Sequence, residues 1–281
     1  MGAEKQTTIV SVTMTKGGVG KTTTAVNLAS EMGRRGCRVL LIDMDEQGNS
    51  TKMMTGKSRS AFNRCGVYTM FRAAGFKSAK EFVIRTQAAN VDLLPSEDML
   101  CKLPELLNAM KNEGDPNQLA EYQYLYGCIE SILPEYDYVV IDTPPAKTVQ
   151  VTNALYASDY AIIPMKLDMF SADSLSETFG LIQNLNREAE IDIRVLGIVL
   201  TMVEKVRMAD WLRTEMKEAG YAPYVFQTEI HKGQAVNDST VYGPVVLSDR
   251  RSRPAQDYRA LVDEMAARMG KDIGKSEKKE G

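Results

Sequence analysis

The sequence contains few of the residues that bind transition metals or form disulfide bonds. Its 281 residues include one histidine, one tryptophan and four cysteines. The cysteines are widely separated and form no Cys-x-x-Cys pair; they are Cys37, Cys65, Cys101 and Cys128. Because a zinc site needs several such ligands at close spacing, the sequence predicts none. Reduced thiols in a cytoplasmic protein are the expected state of these cysteines.

A long apolar segment is also absent. The longest apolar runs have the length of a strand, whereas a membrane-spanning helix needs about 20 consecutive apolar residues. The stretch MGAEKQTTIV at the start of the chain lacks the apolar core of a signal peptide. Hydrophobic residues nevertheless make up 44% of the chain and charged residues 25%, as in a globular protein with a sizeable core. We therefore expect a cytoplasmic protein without a membrane-bound part.

Basic and acidic residues nearly balance overall, with 34 against 37, but positive charge is concentrated locally. The net charge of −3 argues against a generally basic nucleic-acid binder. Between residues 52 and 90 there are eight basic residues and one acidic residue, Glu81. These basic residues are Lys52, Lys57, Arg59, Arg64, Arg72, Lys77, Lys80 and Arg85, and a second cluster is formed by Arg250, Arg251 and Arg253. Two interpretations of the first stretch stay open, a partner-docking surface and a solvated face.

Apolar runs alternate with helical patterns along the chain. The runs cover residues 7–14, 38–43, 91–94, 137–142, 159–165 and 194–202, and the helical patterns cover 21–35, 97–112, 117–132, 170–188, 205–219 and 253–269. Continuous apolar strands are typical of a sheet covered on both faces. The pattern predicts an α/β fold with a doubly wound, mostly parallel sheet flanked by helices. We expect one domain over residues 1–270 and a polar, frayed tail over 271–281.

The segment TKGGVGKTTT, residues 15–24, nearly fits the phosphate-binding loop pattern G-x-x-x-x-G-K-[ST]. It follows an apolar strand and opens a helix, which is the context that this loop requires. Lys21 is expected to reach the β- and γ-phosphates and the Thr22 hydroxyl to bind Mg²⁺, while Thr23 could reach the α-phosphate. A dinucleotide-binding loop is disfavoured, because Thr23 stands where a third glycine is needed. A second lysine in the same loop, Lys16, is redundant within one subunit.

Two further strands end in carboxylates. Asp43 and Asp45 follow the run 38–43, and Asp142, followed by Thr-Pro-Pro, ends the run 137–142. Because ligands bind beyond the carboxyl ends of parallel strands, we expect these side chains to lie beside the phosphate loop. One carboxylate would bind magnesium through water and another would orient the attacking water, since phosphoryl transfer is mainly positioning and charge neutralisation.

These motifs resemble those of the ParA/MinD ATPases. K-G-G-V-G-K-T-T is similar to their deviant Walker A loop, D-M-D-E-Q-G-N to their D-x-D-P-Q-G-N, and D-T-P-P to their γ-phosphate switch. The resemblance implies that Lys16 reaches the nucleotide of a partner subunit in an ATP sandwich dimer and that Asp45 is needed for hydrolysis. It implies a P-loop NTPase with Lys16, Lys21 and Asp45 as catalytic residues. The nucleotide-binding residues implied in these motifs are Lys16, Gly17, Gly18, Val19, Gly20, Lys21, Thr22, Thr23, Asp43 and Asp142, with Thr22 and Asp142 (through water) at the metal.

The C-terminal third also resembles this family. The strand 195–205 is similar to the one that borders the adenine pocket, which makes Thr201 and Met202 candidates for base contacts. The segment 230–258 is similar to the family's DNA-binding region, although His231 replaces a proline, Ala235 an arginine and Pro244 a lysine. The candidate DNA-binding residues are Lys232, Arg250, Arg251 and Arg253.

The resemblance implies a partition ATPase that uses ATP and Mg²⁺. Its ATP-bound homodimer would bind double-stranded DNA of the nucleoid without sequence preference, until a ParB-like centromere-binding partner stimulates hydrolysis. The first alternative is a related positioning ATPase with another cargo adaptor. A MinD-type membrane role is disfavoured because residues 271–281 have no apolar face. An iron-protein-like reductase is disfavoured because Cys101 and Cys128 both precede the apolar run 137–142, and a binding module without turnover because Asp45 is present.

Overall fold

The computed structural model describes residues 7–73, 78–112, 119–166, 168, 171–204, 214 and 216–274. The strands are β1 Thr8–Val12, β2 Val39–Asp43, β3 Ile84–Arg85, β4 Val91–Leu94, β5 Tyr138–Asp142, β6 Tyr160–Lys166 and β7 Arg194–Thr201. The α-helices are α1 Lys21–Arg34, α2 Asn49–Thr55, α3 Val67–Arg72, α4 Leu103–Asn112, α5 Tyr124–Ile129, α6 Val149–Tyr156, α7 Ser171–Ala189, α8 Gln234–Tyr242, α9 Val245–Ser248 and α10 Arg253–Met269. Short 3-10 helices cover Arg59–Phe62, Ala79–Phe82, Asp98–Lys102, Glu130–Glu135 and Ala222–Tyr224.

The strands form one sheet of seven in the order β3-β4-β2-β5-β1-β6-β7. Every pairing is parallel except that of β3 with β4, which is antiparallel. The predicted fold class is therefore confirmed, and each of the six apolar runs corresponds to one strand, although β6 extends one residue beyond its run. The pattern missed β3, because a strand of two residues at the sheet edge has no apolar run of its own.

Three parallel strands with adjacent positions bring the functional segments together. β5 lies between β1 and β2, and its last residue, Asp142, pairs in register with Val12 of β1 and with Asp43 of β2. All residues of these three strands are buried, because helices cover both faces of the sheet. The three loops that follow them consequently open at one edge of the sheet.

The helical expectations are met to different degrees. The patterns over 21–35, 170–188 and 253–269 correspond to α1, α7 and α10, and α10 begins after Ser252, whose hydroxyl caps it by accepting a bond from the Ala255 N–H. The patterns over 97–112 and 117–132 are each divided between a 3-10 helix and an α-helix. Most of the pattern over 205–219 lies outside the described residues, as do 113–118.

The C-terminal end of the described chain packs onto the domain. Ile273 is 1% exposed and belongs to the same core cluster as α1 and α10. Arg35, after α1, donates to the Gly274 carbonyl and forms an ion pair with Asp263. Packing thus continues past residue 270 as far as Gly274, and residues 275–281 lie outside the described chain. Among the described helices, none is long and apolar enough to cross a membrane.

Candidate functional site

The phosphate loop connects β1 to α1 in a conformation that depends on glycine. Gly18 and Gly20 have φ angles of 70° and 88°, in the left-handed region that side chains other than glycine rarely adopt. Gly20 is the residue before α1, so the free N–H groups of the first helical turn lie at the loop. This arrangement can bind phosphate through backbone N–H groups and the positive end of the helix dipole.

The side chain of Lys21 lies inside the loop. It is buried, and its Nζ donates a hydrogen bond to the Lys16 carbonyl at 2.9 Å. Burial lowers the pKa of Lys21, and the nearby carboxylates of Asp142 and Asp45 partly oppose this change. The structure therefore joins three predicted site residues, with the cation of Lys21 beside two of the predicted carboxylates.

The side chain of Lys16 takes a different direction. Its Nζ forms an ion pair with Asp168, which lies between β6 and α7, and both side chains remain partly exposed. The preceding residue is also attached to α7, because the Thr15 hydroxyl donates to the Ser174 carbonyl and the Thr15 N–H to the Thr178 hydroxyl. The two lysines of one loop thus have separate partners, and Asp168 was not identified from the sequence.

Asp43 and Asp142 are both fully buried at the ends of adjacent strands. Burial raises the pKa of Asp43 well above its usual range, and the negative charge of Asp142 adds to the rise. Burial also raises the pKa of Asp142, to about 7, although hydrogen bonds from Ser50 and Thr22 lower it. Because two carboxylates share a small buried volume, additional positive charge at this site would be strongly favoured.

The first turn of α2 holds these carboxylates in place. The Ser50 hydroxyl donates to Asp142 Oδ2 at 2.8 Å. The Thr51 N–H and hydroxyl both donate to Asp43 Oδ2 at 2.7 Å, and the Thr51 hydroxyl oxygen accepts a bond from the Ser96 N–H. Ser50 and Thr51 were not identified from the sequence, although their position directly after the D-M-D-E-Q-G-N segment was a usable signal.

Asp45 follows β2 and belongs to the same group of carboxylates. Its Oδ1 accepts a bond from the Gln47 N–H at 2.9 Å, and its carbonyl accepts bonds from the Gly48 N–H and the Ser96 hydroxyl. Gly48, with a φ of 65°, allows the chain to turn from the strand end into α2. Only 6% of Asp45 is exposed, so this carboxylate faces the site rather than bulk water.

A magnesium ion fits the donor groups at this edge of the sheet. Asp142 Oδ1 is buried and has no hydrogen-bond partner among the described residues, so it can accept a bond from a metal-bound water. Thr22 lies near Asp142, as the predicted metal site requires. Oxygen donors of this kind suit Mg²⁺, which usually retains several of its waters. Within the described ranges, no cluster of three His, Cys, Asp or Glu side chains has the geometry of a metal site.

A cleft next to the phosphate loop contains both predicted adenine contacts. The Thr201 hydroxyl donates to the Val19 carbonyl at 2.8 Å, and Met202 has a positive φ of 53°. The lining residues are Gly20, Thr23, Thr201, Met202, Ile230, His231, Lys232, Gly233, Val236, Asn237 and Tyr258. Thr23 therefore lies at this cleft. Of the lining residues, only Thr201 and Met202 were predicted from the sequence as base contacts. The lining residues between 230 and 258 belong to the segment that resembles a DNA-binding region.

The four DNA-binding candidates differ in their surroundings. Lys232 pairs with Glu204, and Arg253 pairs with Asp257, which also accepts bonds from the His231 ring and N–H. Arg250 and Arg251 are exposed, and no acidic partner is found for either among the residues that the structure describes. Arg250 and Arg251 are therefore the candidates that retain unbalanced charge.

The basic stretch between residues 52 and 90 is partly neutralised by folding. Arg59, Lys80 and Arg85 form ion pairs with acids that follow the stretch in sequence, at Asp98, Glu135 and Asp92 respectively. Lys77 lies outside the described residues. The stretch is therefore not one continuous basic surface, and its exposed cations belong to separate elements.

Comparison with known proteins defines the class of this chain. A family model described as AAA domain (AAA_31) matches residues 7–195, which is more than half of the chain. The chain belongs to this family. The matched region contains the phosphate loop and the strand ends with Asp43 and Asp142.

Within this class the chain is a member of the ParA family. It is 30% identical over 262 residues to the sporulation initiation inhibitor protein Soj of Bacillus subtilis, covering 92% of this chain and 98% of Soj. It is 28% identical to the chromosome partitioning protein ParA of Caulobacter vibrioides, covering 92% of this chain and 94% of that protein. The family resemblance predicted from the motifs is confirmed.

Solved structures show the same fold. The complex of Cyanothece McdA with ATP superposes with a TM-score of 0.79 at 20% identity, covering 95% of this chain and 98% of McdA. A putative plasmid partition protein of Borrelia burgdorferi bound to AMPPNP superposes with a TM-score of 0.70 at 25% identity, covering 94% and 98%. The architecture is therefore shared over nearly the whole chain.

The attachment of α2 to Asp43 gives a testable prediction. We expect Thr51→Val to lower the free energy of unfolding by about 1–3 kcal/mol, because the change leaves the buried Ser96 N–H without its acceptor and removes one donor from Asp43. Thr55→Val is the matched control on the same helix, since among the described residues the Thr55 hydroxyl bonds only to backbone groups, the Thr51 carbonyl and the backbone of the exposed Lys57, and to no carboxylate. Urea unfolding of the two variants measures the difference, and equal values would show that Thr51 does not support the carboxylates.

Proposed function

We propose that this protein is a partition ATPase that binds ATP with Mg²⁺ and hydrolyses it slowly. The observation that carries this proposal is the separation of the two loop lysines. Lys21 lies among the carboxylates, where it can neutralise the nucleotide of its own subunit. Lys16 extends to a partly exposed position at Asp168, where an approaching subunit can reach it.

The residues of the loop would bind and orient the triphosphate. The N–H groups around Gly18 and Gly20 and the ammonium of Lys21 would hold the phosphate oxygens. Thr22 and Asp142 would hold magnesium, which neutralises the charge that develops on the transferred phosphoryl group. Asp45 would accept a hydrogen bond from the attacking water and align it with the γ-phosphorus.

Dimerisation would complete this site. In the dimer, Lys16 of one subunit would leave Asp168 and contact the phosphates held by its partner. This exchange replaces one ion pair by another, so it is favoured only when a triphosphate is bound across the interface. Nucleotide binding and dimerisation would therefore be linked, as the membership of the ParA family supports.

The dimer would bind double-stranded DNA without sequence preference. Arg250 and Arg251 are exposed, and dimerisation doubles their number, which compensates for a chain whose net charge is −3. A ParB-like partner would stimulate hydrolysis and release the dimer. We accordingly expect the protein in the cytoplasm, associated with the nucleoid. The ion pairing of Lys232 and Arg253 also favours a second candidate, a related positioning ATPase on another matrix or cargo.

The role of Asp45 can be tested directly. Asp45→Ala is expected to bind ATP and form a persistent dimer, while single-turnover hydrolysis falls about 100-fold or more, because a water-orienting carboxylate acts mainly in the transition state. Glu46→Ala, which removes the neighbouring carboxylate, should hydrolyse ATP at the parent rate. Undiminished hydrolysis by Asp45→Ala would refute the assignment.

The DNA-binding surface can be tested through the dependence of affinity on salt. For the double variant Arg250→Ala/Arg251→Ala with ATP, we expect weaker binding to unrelated duplexes. The slope of the logarithm of the binding constant against the logarithm of the salt concentration should be smaller in magnitude by about 0.9 for each DNA phosphate that the variant no longer neutralises. Arg253→Ala should change the slope less, since Arg253 is already paired with Asp257.

Arg187→Ala, an exposed arginine on α7, is the control for this experiment and should bind DNA as the parent does. An unchanged slope in the double variant would mean that other residues bind the DNA. A complete absence of ATP-dependent DNA binding in the parent would favour the second candidate.

A further inference from the structure

A groove lined by uncharged residues lies away from the nucleotide cleft, between the end of α2 and the segment α8–α9. It has a volume of about 430 Å³. Two methionines of α2 form its floor, Met53 and Met54, and Val241, Tyr242 and Leu247 form one wall. Every residue that lines it is uncharged. Flexible thioethers on a floor of this kind can adapt to apolar side chains of different shapes.

The wall of the groove contains the two most exposed large hydrophobic side chains of the described residues. Val241 and Tyr242 are 73% and 75% exposed, the largest values among the exposed large hydrophobic residues that the structure describes. They are consecutive at the end of α8, and Leu247 of α9 is also exposed. Adjacent exposed apolar residues beside a concave surface are typical of an interaction site.

The sequence around the groove carries a local positive charge. Lys52 lies on α2 next to the groove residue Met53, and Lys57 follows the lining residue Gly56; both are exposed without an acidic partner among the described residues. Arg250 and Arg251 follow α9 shortly after Leu247. Against these four cations stand two carboxylates, Asp238 of α8 and Asp249, whereas the chain as a whole is acidic. The segments that line the groove therefore carry a net positive charge in their immediate sequence, which favours an acidic partner.

The helix α2 connects the groove to the phosphate site. At one end its Ser50 and Thr51 hydroxyls bind Asp142 and Asp43, and two residues later Met53 and Met54 line the groove. The helix has seven residues, so the methionines lie within about one helical turn of the hydroxyls that bind the carboxylates. An occupant of the groove would consequently change the positions of the two buried carboxylates.

We propose that this groove is the docking site for an amphipathic, acidic segment of a protein partner, and that α2 transmits its binding to the nucleotide site. Apolar side chains of the segment would enter between α2 and Tyr242, and its carboxylates would face Lys52 and Lys57. This mode corresponds to a helix laid in a groove. A DNA duplex fits less well, since the lining offers no charged group to a phosphate. The transmission to the nucleotide site rests on the ATPase function proposed above, whereas the docking does not.

Docking can be measured without any ATPase assay. The probe is a fluorescein-labelled synthetic peptide of about 14 residues, with Leu at i, i+3, i+4 and i+7 spacing and Glu elsewhere. In fluorescence anisotropy we expect it to bind the parent protein, and to bind at least tenfold more weakly to Val241→Ser/Tyr242→Ser and to Lys52→Glu/Lys57→Glu. A matched peptide with Lys in place of Glu should not bind. Tyr224→Ser, an exposed tyrosine next to Phe179, is the control variant and should bind like the parent.

Three results would overturn the docking proposal. These are no binding of the acidic peptide, equal binding to the parent and the Val241→Ser/Tyr242→Ser variant, and equal binding of the lysine peptide. Loss of ATP-dependent dimerisation in Val241→Ser/Tyr242→Ser would also overturn it, by identifying the occupant as a second copy of this chain. Circular dichroism of each variant establishes that it is folded.

The effect of groove binding on the nucleotide site through α2 is measured separately, by the rate of ATP hydrolysis. Saturating acidic peptide should change the rate of ATP hydrolysis by the parent at least twofold and leave the rate of Val241→Ser/Tyr242→Ser unchanged. An unchanged parental rate with the peptide bound would refute the transmission alone. A parent protein that binds the peptide but does not hydrolyse ATP would instead contradict the proposed function, so the two failures are distinguishable.

Discussion

Three acidic side chains and one lysine meet at the carboxyl ends of β1, β2 and β5, and the rest of the site depends on how their charges are balanced. Asp43 and Asp142 are buried side by side because the strands that carry them are in register. Lys21 is the cation that the phosphate loop contributes to this group, and it is itself buried. A site with this excess of negative charge favours a divalent cation, and the phosphates that accompany the cation then have Lys21 and the loop N–H groups as partners.

The need to balance these buried charges also explains the arrangement of the neighbouring elements. Buried carboxylates need hydrogen-bond donors, and α2 supplies them through Ser50 and Thr51. The helix must therefore begin close to the strand ends, and its other end reaches the surface where Met53 and Met54 meet α8 and α9. A short element that is attached to the buried carboxylates and lines a groove at its other end would provide the proposed connection between nucleotide state and partner binding.

The sequence contained enough information for the sheet and for the proximity of the loop lysine Lys21 to the carboxylates at the strand ends. Continuous apolar runs marked six strands because each is largely buried on both faces, and the site followed from the rule that parallel strands present their carboxyl ends at one edge. Contacts between distant segments were not predictable in this way. The ion pair of Lys16 with Asp168, the bonds from Thr51, and the lining of the cleft by residues 230–237 depend on how segments far apart in the chain pack together. Composition also overstated the basic stretch 52–90, since folding pairs three of its cations with acids.

The central claim is that Lys16 acts on the nucleotide of a partner subunit rather than its own. Sedimentation velocity of Lys16→Ala with ATP and Mg²⁺ tests it most directly, with Lys102→Ala as a control that removes an exposed lysine elsewhere. The account predicts that Lys16→Ala binds ATP with nearly parental affinity in calorimetry but sediments as a monomer, whereas Lys102→Ala forms the parental dimer. If Lys16→Ala dimerises at the same ATP concentration as the parent, the result contradicts the account.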